Sequence, residues 1–426
     1  MIFHYLKIAF RNLCKYKTQN VISIIGLAVG LLCFCVCIYC SRFVENTDHC
    51  FANHDRIAEL NLYDGKAGRY FSGSPVPLAE ELRTWALGEA EAISSVTYPR
   101  ERPYYVELSP EKTLPYELET IEIDTCYNRI FTPEMVAGHW KMASQSLNSV
   151  ILSQSMAIKI FGNAESAIGK HMTLMRRLNT SPESTPKTGG IVYTIQAVMK
   201  DIPLNNSLDF MQNIDMLTVN DSEGLLQSPK RHNMTGANTY VLLSPQTTCT
   251  DLEKQFSKRD YTYTLYGEAY TVTASSMGAR LKKQGASYLG LVTGIIGTLI
   301  LLVGLINFFH FLIGSFFNRT KEYSIMKMIG CNWKQLFYLL FTQSLIVISI
   351  SSILVLSGIE LLGNHMNFSL PGFAMTFTSE TLLIHALQYI VLLIILCAII
   401  CLSVSIRIRR ITVQTGIYGN NKRRGK

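Results

Sequence analysis

Apolar positions in this chain fall into four long blocks, and the stretches between them are mixed. Val21–Cys40, Tyr288–Phe317, Leu336–Leu362 and Leu382–Ile406 are each long enough to cross a hydrocarbon layer of ~30 Å, which takes about 20 helical residues. Asp, Glu, Lys and Arg are absent from all four except for Glu360, near one end of the third. The pattern predicts four transmembrane helices, one before and three after a long polar insertion. The first block exceeds the ~7–15 residue apolar core of a cleaved signal peptide, and no small-x-small cleavage site follows it.

Inside the insertion the period changes. YYVEL (104–108), ELETIEID (117–124), SVILS (149–153), GIVYTIQAVM (190–199) and NTYVLLS (238–244) alternate or are rich in β-branched residues, and predict strands. PLAEELRTWAL (77–87), SQSMAIKIFG (153–162) and TTCTDLEKQFSKR (247–259) predict helices, the second starting at a serine and stopping at Gly162 as caps require. LNTSPESTPKTGG (178–190) predicts a hairpin or loop. The expected fold is an α-helical membrane protein with four transmembrane helices, arranged one plus three, and a large α+β extracytoplasmic domain with one antiparallel or mixed sheet. The expected segments are an amphipathic N-terminal helix (1–19), a first span (20–42), the external domain (43–286), a second span (287–317), a connecting segment (318–335), a third span (336–363), an external loop (364–381), a fourth span (382–406) and a basic tail (407–426).

Charge orients this arrangement. The whole chain carries a net +8, yet residues 43–287 hold 23 basic and 28 acidic residues, and the remainder holds 16 basic and 3 acidic. The basic excess flanks the spans, at Lys7, Arg11, Lys15 and Lys17, in 318–336, and from Arg407 to the end, while 364–381 has neither Lys nor Arg. The positive-inside rule then places both termini and 318–336 in the cytoplasm and the large domain outside. Such basic flanks are topology signals or contacts to anionic lipid, so membrane lipid is an expected partner and nucleic acid is not. Of eleven cysteines only Cys50, Cys126 and Cys249 fall in the external domain. That odd number allows one bridge and does not choose the pair.

Catalytic patterns are missing. The chain has neither GxSxG nor HExxH, and its nearest phosphate-loop candidate, GNAESAIGKH (162–171), spaces its glycines six apart where four are required and follows the lysine with His171. No catalytic, cofactor-binding or metal-binding residue is expected. Acid pairs such as Glu80–Glu81 and Glu117–Glu119–Glu122 read as solvated faces. The spans carry small residues for close helix packing, Gly26-x-x-x-Gly30 in the first and Gly290-x-x-x-Gly294 in the second, which would serve a dimer or packing within one chain equally well. In 318–336, NRTKEYSIMKMIGCNWKQL, a helix over 320–329 puts Tyr323, Met326 and Ile329 on one stripe with Ile325 and Met328 beside it, and Gly330 can end it. A short charged helix with an apolar stripe is a docking element, the alternative being an interfacial helix resting on lipid headgroups.

Three stretches carry a family resemblance: LKIAFRNLCKYKTQNVISIIGLAVG (6–30), VILSQSMAIKIFGNAESAIGKHM (150–172) with YTIQAVMKDIPLNNS (193–207), and INFFHFLIGSFFNRTKEYSIMKMIGCNWKQLFYLLFTQSL (306–345). Their order and the one-plus-three layout resemble a permease of the MacB/FtsX type of ABC transporter, in the form of a single four-span half. The resemblance implies that the connector between spans two and three docks on a separate cytosolic ATPase, which would hold the ATP and Mg²⁺. Arg319, Lys321, Glu322 and Gly330 match the family's basic-x-Glu and downstream glycine, and Tyr323 and Met326 join them as expected coupling residues. It also implies a second permease copy in a homo- or heterodimer, a bacterial inner-membrane location, and an adaptor or outer-membrane component as a further partner. Mechanotransmission, efflux or export is the expected work. A membrane-anchored regulator or sensor of envelope enzymes is the alternative.

Overall fold

The computed structural model describes residues 11, 15, 17–71, 73–85, 87–109, 112–174, 190–208, 213–219, 221, 224–227, 235–265, 267–279, 287–318, 320–365, 367–370, 373–376 and 379–410. The chain divides into two compact units, Met1–Glu45 with Ser287–Lys426, and the inserted Asn46–Ala286. The expected amphipathic N-terminal helix (apart from Arg11, Lys15 and residues 17–19), the 178–190 loop (apart from Gly190) and the tail from 411 lie outside the described residues.

The first unit opens with helix α1 (Lys17–Glu45). The inserted unit then runs through β1 (Ile57–Asp64), β2 (Arg69–Tyr70), β3 (Ser74–Pro75), α2 (Leu78–Arg83), β4 (Ala90–Thr97), β5 (Arg100–Ser109) and β6 (Lys112–Ile123). Next come α3 (Tyr127–Phe131), β7 (Met135–Gly138), α4 (Trp140–Gln145), β8 (Ser149–Ser153), α5 (Gln154–Phe161), β9 (His171–Leu174) and β10 (Val192–Met199). It closes with β11 (Met216–Val219), β12 (Thr235–Leu243), α6 (Cys249–Lys258), β13 (Thr262–Leu265) and β14 (Glu268–Ser276). The chain returns to the first unit with α7 (Ser287–Asn318), α8 (Thr320–Met328), α9 (Trp333–His365), the small hairpin β15 (Asn367–Leu370) and β16 (Phe373–Thr376), and α10 (Ser379–Arg410).

All five expected strands form, inside β5, β6, β8, β10 and β12. They join one mixed sheet in the order β11-β8-β10-β9-β5-β6-β4-β12-β1-β14-β13. β8 runs parallel to β10, and β11 runs parallel to β6 as well as antiparallel to β8. The pairings β11-β8-β10-β9-β5-β6 therefore return to β11, and six strands close a ring whose members leave no open edge there. Tyr104, Leu118, Val150, Leu152, Tyr193 and Ile195 are buried in one cluster, with Ala157 and Ile160 of α5 against them. The caps expected for α5 are present: the Ser153 hydroxyl accepts the Met156 N–H, and Gly162 at φ +86 donates to the Ile158 carbonyl. α6 begins with a reciprocal capping box of Thr248 and Asp251. α2 ends at Arg83, short of the expected 87, and Leu78, Ala79 and Leu82 on its inner face share one buried cluster with Leu87 beyond its end.

Four helices of the first unit are long and apolar enough to cross a membrane, over Asn20–Glu45, Tyr288–Gly314, Trp333–Leu361 and Leu382–Ile406. α1 packs along α7 through small residues. A Cβ added to Gly30 would sit 3.3 Å from Gly304 Cα, one on Gly294 3.2 Å from Ser41 Oγ, and one on Gly290 3.5 Å from the Ser41 carbonyl. Gly26 faces the Asn307 amide and Gly297 faces Cys37. α1 also meets α9, where the Ser351 hydroxyl donates to the Ile24 carbonyl at 3.1 Å, and α10, where Phe34 and Tyr389 pack edge-on at 4.5 Å.

Because backbone faces backbone at Gly30 and Gly304, a larger side chain there has nowhere to go, and overpacking of this kind costs about 1–3 kcal/mol. Gly30→Leu is expected to lower the melting temperature and folded yield of the detergent-solubilised protein. Gly65→Ala, at a position with no neighbour within 4 Å, should leave both unchanged.

Candidate functional site

The 318–336 connector is built as a fixed turn. α8 ends when Gly330 takes φ +95, and the Cys331 N–H returns to the Met326 carbonyl at 2.9 Å. That five-residue return across a left-handed glycine is the Schellman closure of a helix end. No atom lies within 4 Å of a Cβ placed on Gly330, so the backbone angle alone demands glycine. Two residues later Asn332 caps α9. Its carbonyl accepts Gln335 and Leu336 N–H at 3.0 and 3.2 Å, and its own N–H donates to Gln335 Oε1 at 3.0 Å, the return half of a capping box.

This turn fixes which side of α8 faces inward. Tyr323 is 3% exposed and packs with Leu27 of α1, Phe308 of α7, and Leu336, Leu339 and Leu340 of α9. Met326 is half-buried against the same cluster. Ile325, Met328 and Ile329 are exposed, Ile329 at 82%. Tyr323, Met326 and Ile329 therefore do not act as one outward stripe. Tyr323 and Met326 anchor the segment, and the exposed apolar face is Ile325, Met328 and Ile329. Glu322 Oε1 lies 3.4 Å from Lys15 Nζ, with both side chains about half exposed, a pair worth about 0–1 kcal/mol. Arg319 and the side chain of Lys321 lie outside the described residues. The expected packing glycines Gly26, Gly30, Gly290 and Gly294 all face between α1 and α7 of one chain.

The inserted unit holds a buried charged cluster that departs from expectation. Glu122, read as part of a solvated acidic face, is 3% exposed. Its carboxylate oxygens accept the Leu226 and Leu225 N–H groups at 2.8 and 2.7 Å, and its own N–H donates to the Thr97 hydroxyl at 2.8 Å. A side chain on Gly224 would overlap this carboxylate. Asp221 is buried beside it, with Arg102 Nη1 4.0 Å from Asp221 Oδ2. Glu117 is exposed as expected. The alternation fails at Glu122 because the 224–227 turn folds back over the end of β6, and that contact spans about a hundred residues of sequence. Burial pushes the Glu122 carboxyl up to about 7; Asp221 adds to the rise, while the two backbone N–H groups and Arg102 oppose it. Cys50, Cys126 and Cys249 are all free thiols. Among the described residues no group of three or more His, Cys, Asp or Glu is placed to hold a metal.

The architecture defines a class, four membrane-length apolar helices with a large α+β unit inserted after the first. Residues 294–413 match the family described as FtsX-like permease C-terminal. That match runs from within α7 through the connector and three residues past the end of α10. No curated protein matches the chain. Among solved structures, a domain of a protein described as a permease from Porphyromonas gingivalis is similar at 21% identity and TM-score 0.39, over 53% of this chain and 93% of that one. The periplasmic region of MacB from Actinobacillus actinomycetemcomitans is similar at 13% identity and TM-score 0.36, over 57% and 96%. The extracellular domain of the noncanonic ABC-type transporter YknZ from Gram-positive bacteria is similar at 12% identity and TM-score 0.30, over 51% and 99%.

A carboxyl whose folded pKa lies above its unfolded value of 4.5 gives its full contribution below pH 4.5 and loses it as pH rises toward 7. The shift corresponds to about 3 kcal/mol as an order of magnitude. Unfolding of the full chain followed from pH 4 to 8 should show a smaller fall between pH 4.5 and 7 in Glu122→Gln than in the wild type. Equal slopes would mean that Glu122 does not titrate in that window.

Proposed function

We propose that this chain is the membrane subunit of an ABC-type permease, whose 318–336 connector receives a separate cytosolic ATPase and whose helices pass the resulting movement to the inserted domain. The observation that carries this reading is the capped connector. Tyr323 and Met326 hold it against the helices, and its opposite face exposes Ile325, Met328 and Ile329. It sits inside the stretch that matches the permease family. Exposed apolar side chains on a segment held this firmly by two caps and a buried tyrosine suit a protein partner that needs a rigid contact.

The same reading puts both termini and the connector in the cytoplasm of a bacterial inner membrane, with the inserted unit on the far side. ATP and Mg²⁺ belong to the partner. The assembly has two permease copies, and an adaptor or outer-membrane component completes an efflux or export route. The interior of the helical unit is filled by Leu27, Phe308, Val347, Ile348 and Leu393, which favours movement of the helices over passage of a solute between them. Mechanotransmission is therefore the mechanism we assign. The alternative role, control of an envelope enzyme by the inserted domain, uses the same connector and differs only in what the moving domain touches.

Tagged full-length protein taken from its native membrane in mild detergent should bring down a soluble protein with a Walker A motif. Ile325→Glu with Ile329→Glu should abolish that recovery while leaving folded yield unchanged, since both side chains are exposed. Tyr323→Ala should instead lower stability by about 3 kcal/mol or more, as loss of a buried aromatic does. Recovery of envelope proteins alone, with no ATPase, would contradict the reading.

A further inference from the structure

The inserted domain leaves the first unit at Asn46 and rejoins it at Ser287, and a single buried carboxylate lies close after the first of these points. Asp48 is 3% exposed and takes φ +70, a left-handed conformation that Asp tolerates better than most residues. Its backbone N–H donates to the Asn205 carbonyl at 2.9 Å. Its carboxylate accepts the Ser207 N–H at 2.6 Å on Oδ1 and the Ser207 hydroxyl on Oδ2. Asn205 Nδ2 answers with a bond to the Asn46 carbonyl at 3.0 Å. On its other side the carboxylate meets Gly278: a Cβ there would stand 2.7 Å from Asp48 Oδ2 and 3.1 Å from Ser207 Oγ, and the glycine has φ +75.

Three segments far apart in sequence thus converge on one side chain. Each also inserts an apolar neighbour into the same core cluster, namely Phe51, Leu208 and Met277. Phe51 packs edge-on to Phe131 at 5.0 Å, the Met277 N–H bonds the Ile57 carbonyl at 2.9 Å, and the buried Asn206 shapes the middle segment through the Leu208 N–H and the Pro203 carbonyl. A charge-assisted pair of bonds above a shared apolar cluster resists local opening more than either does alone. Asp48 is the third residue beyond the end of α1 at Glu45, a reach of at most about 10 Å. The outgoing connection from Gly278 to Ser287 is three times as long in residues.

We propose that Asp48 is a positioning residue that ties the incoming connection, the 203–208 loop and the outgoing turn at Gly278 into one mechanical body. A displacement arriving along α1 would reach all three together instead of fraying the first turn of the domain. This significance rests on the permease reading above, whereas the tie itself is a property of the domain and is tested apart from it.

The test is hydrogen–deuterium exchange on the full chain in nanodiscs, comparing wild type with Asp48→Ala, Asp48→Asn and Ser207→Ala. In Asp48→Ala, exchange over 46–51, 204–208 and 277–279 should rise together by roughly tenfold or more, while amides of β10 and β12 stay unchanged. Asp48→Asn keeps an acceptor for the Ser207 N–H and should restore most of the protection in all three segments. Ser207→Ala is the milder variant, and should open the same three segments to a smaller degree. An increase confined to 46–51, or one spread evenly over the whole domain, would overturn the proposal. Failure to recover an ATPase with the wild-type protein would count against the permease reading and leave the exchange result to decide the tie.

Discussion

The close approach of α1 to α7 is the constraint on which the rest depends. Gly26, Gly30, Gly290, Gly294, Gly297 and Gly304 remove side chains where the two backbones meet, and in an apolar surrounding such packing replaces the hydrophobic driving force that water would supply. These are the two helices whose far ends become the first and last residues of the inserted domain. α9 and α10 then complete the bundle around α1, with Val355, Ile359, Leu382 and Ala386 packed on Ala28, Leu31 and Cys35.

Much of this was legible in the sequence, for physical reasons that also explain what was not. Long apolar blocks admit one reading, and all four became helices. SVILS and GIVYTIQAVM became β8 and β10 because short β-branched runs bounded by turn residues have little alternative. β1 and β4 escaped notice because IAELNLYD and AEAISSVT bury polar residues, Glu59, Asn61, Ser94 and Ser95, which break the apolar alternation a strand usually shows. α3 and α4, at five and six residues, are too short for a helical period to register.

The connector shows the limit most clearly. Its helix, its terminating Gly330 and its apolar positions could all be read from spacing. The inward side could not, because Tyr323 and Met326 form one apolar edge and Ile325, Met328 and Ile329 another, and only packing against Leu27, Phe308 and Leu336 chooses between them. Glu122 failed for a related reason: the 224–227 turn that buries it is remote in sequence. Its two backbone N–H donors stabilise the charged form while burial disfavours it more. The same economy operates at Asp48, where one side chain accepts both donors of Ser207, a residue that no local pattern links to it.

The central claim is that Ile329 faces a protein partner. A photoreactive amino acid placed at position 329 of the full-length protein, irradiated in native membranes, tests it most directly. The account predicts a discrete cross-linked product containing a soluble protein with a Walker A motif. Cross-links to lipid alone would contradict it, and would make the connector an interfacial helix lying on headgroups.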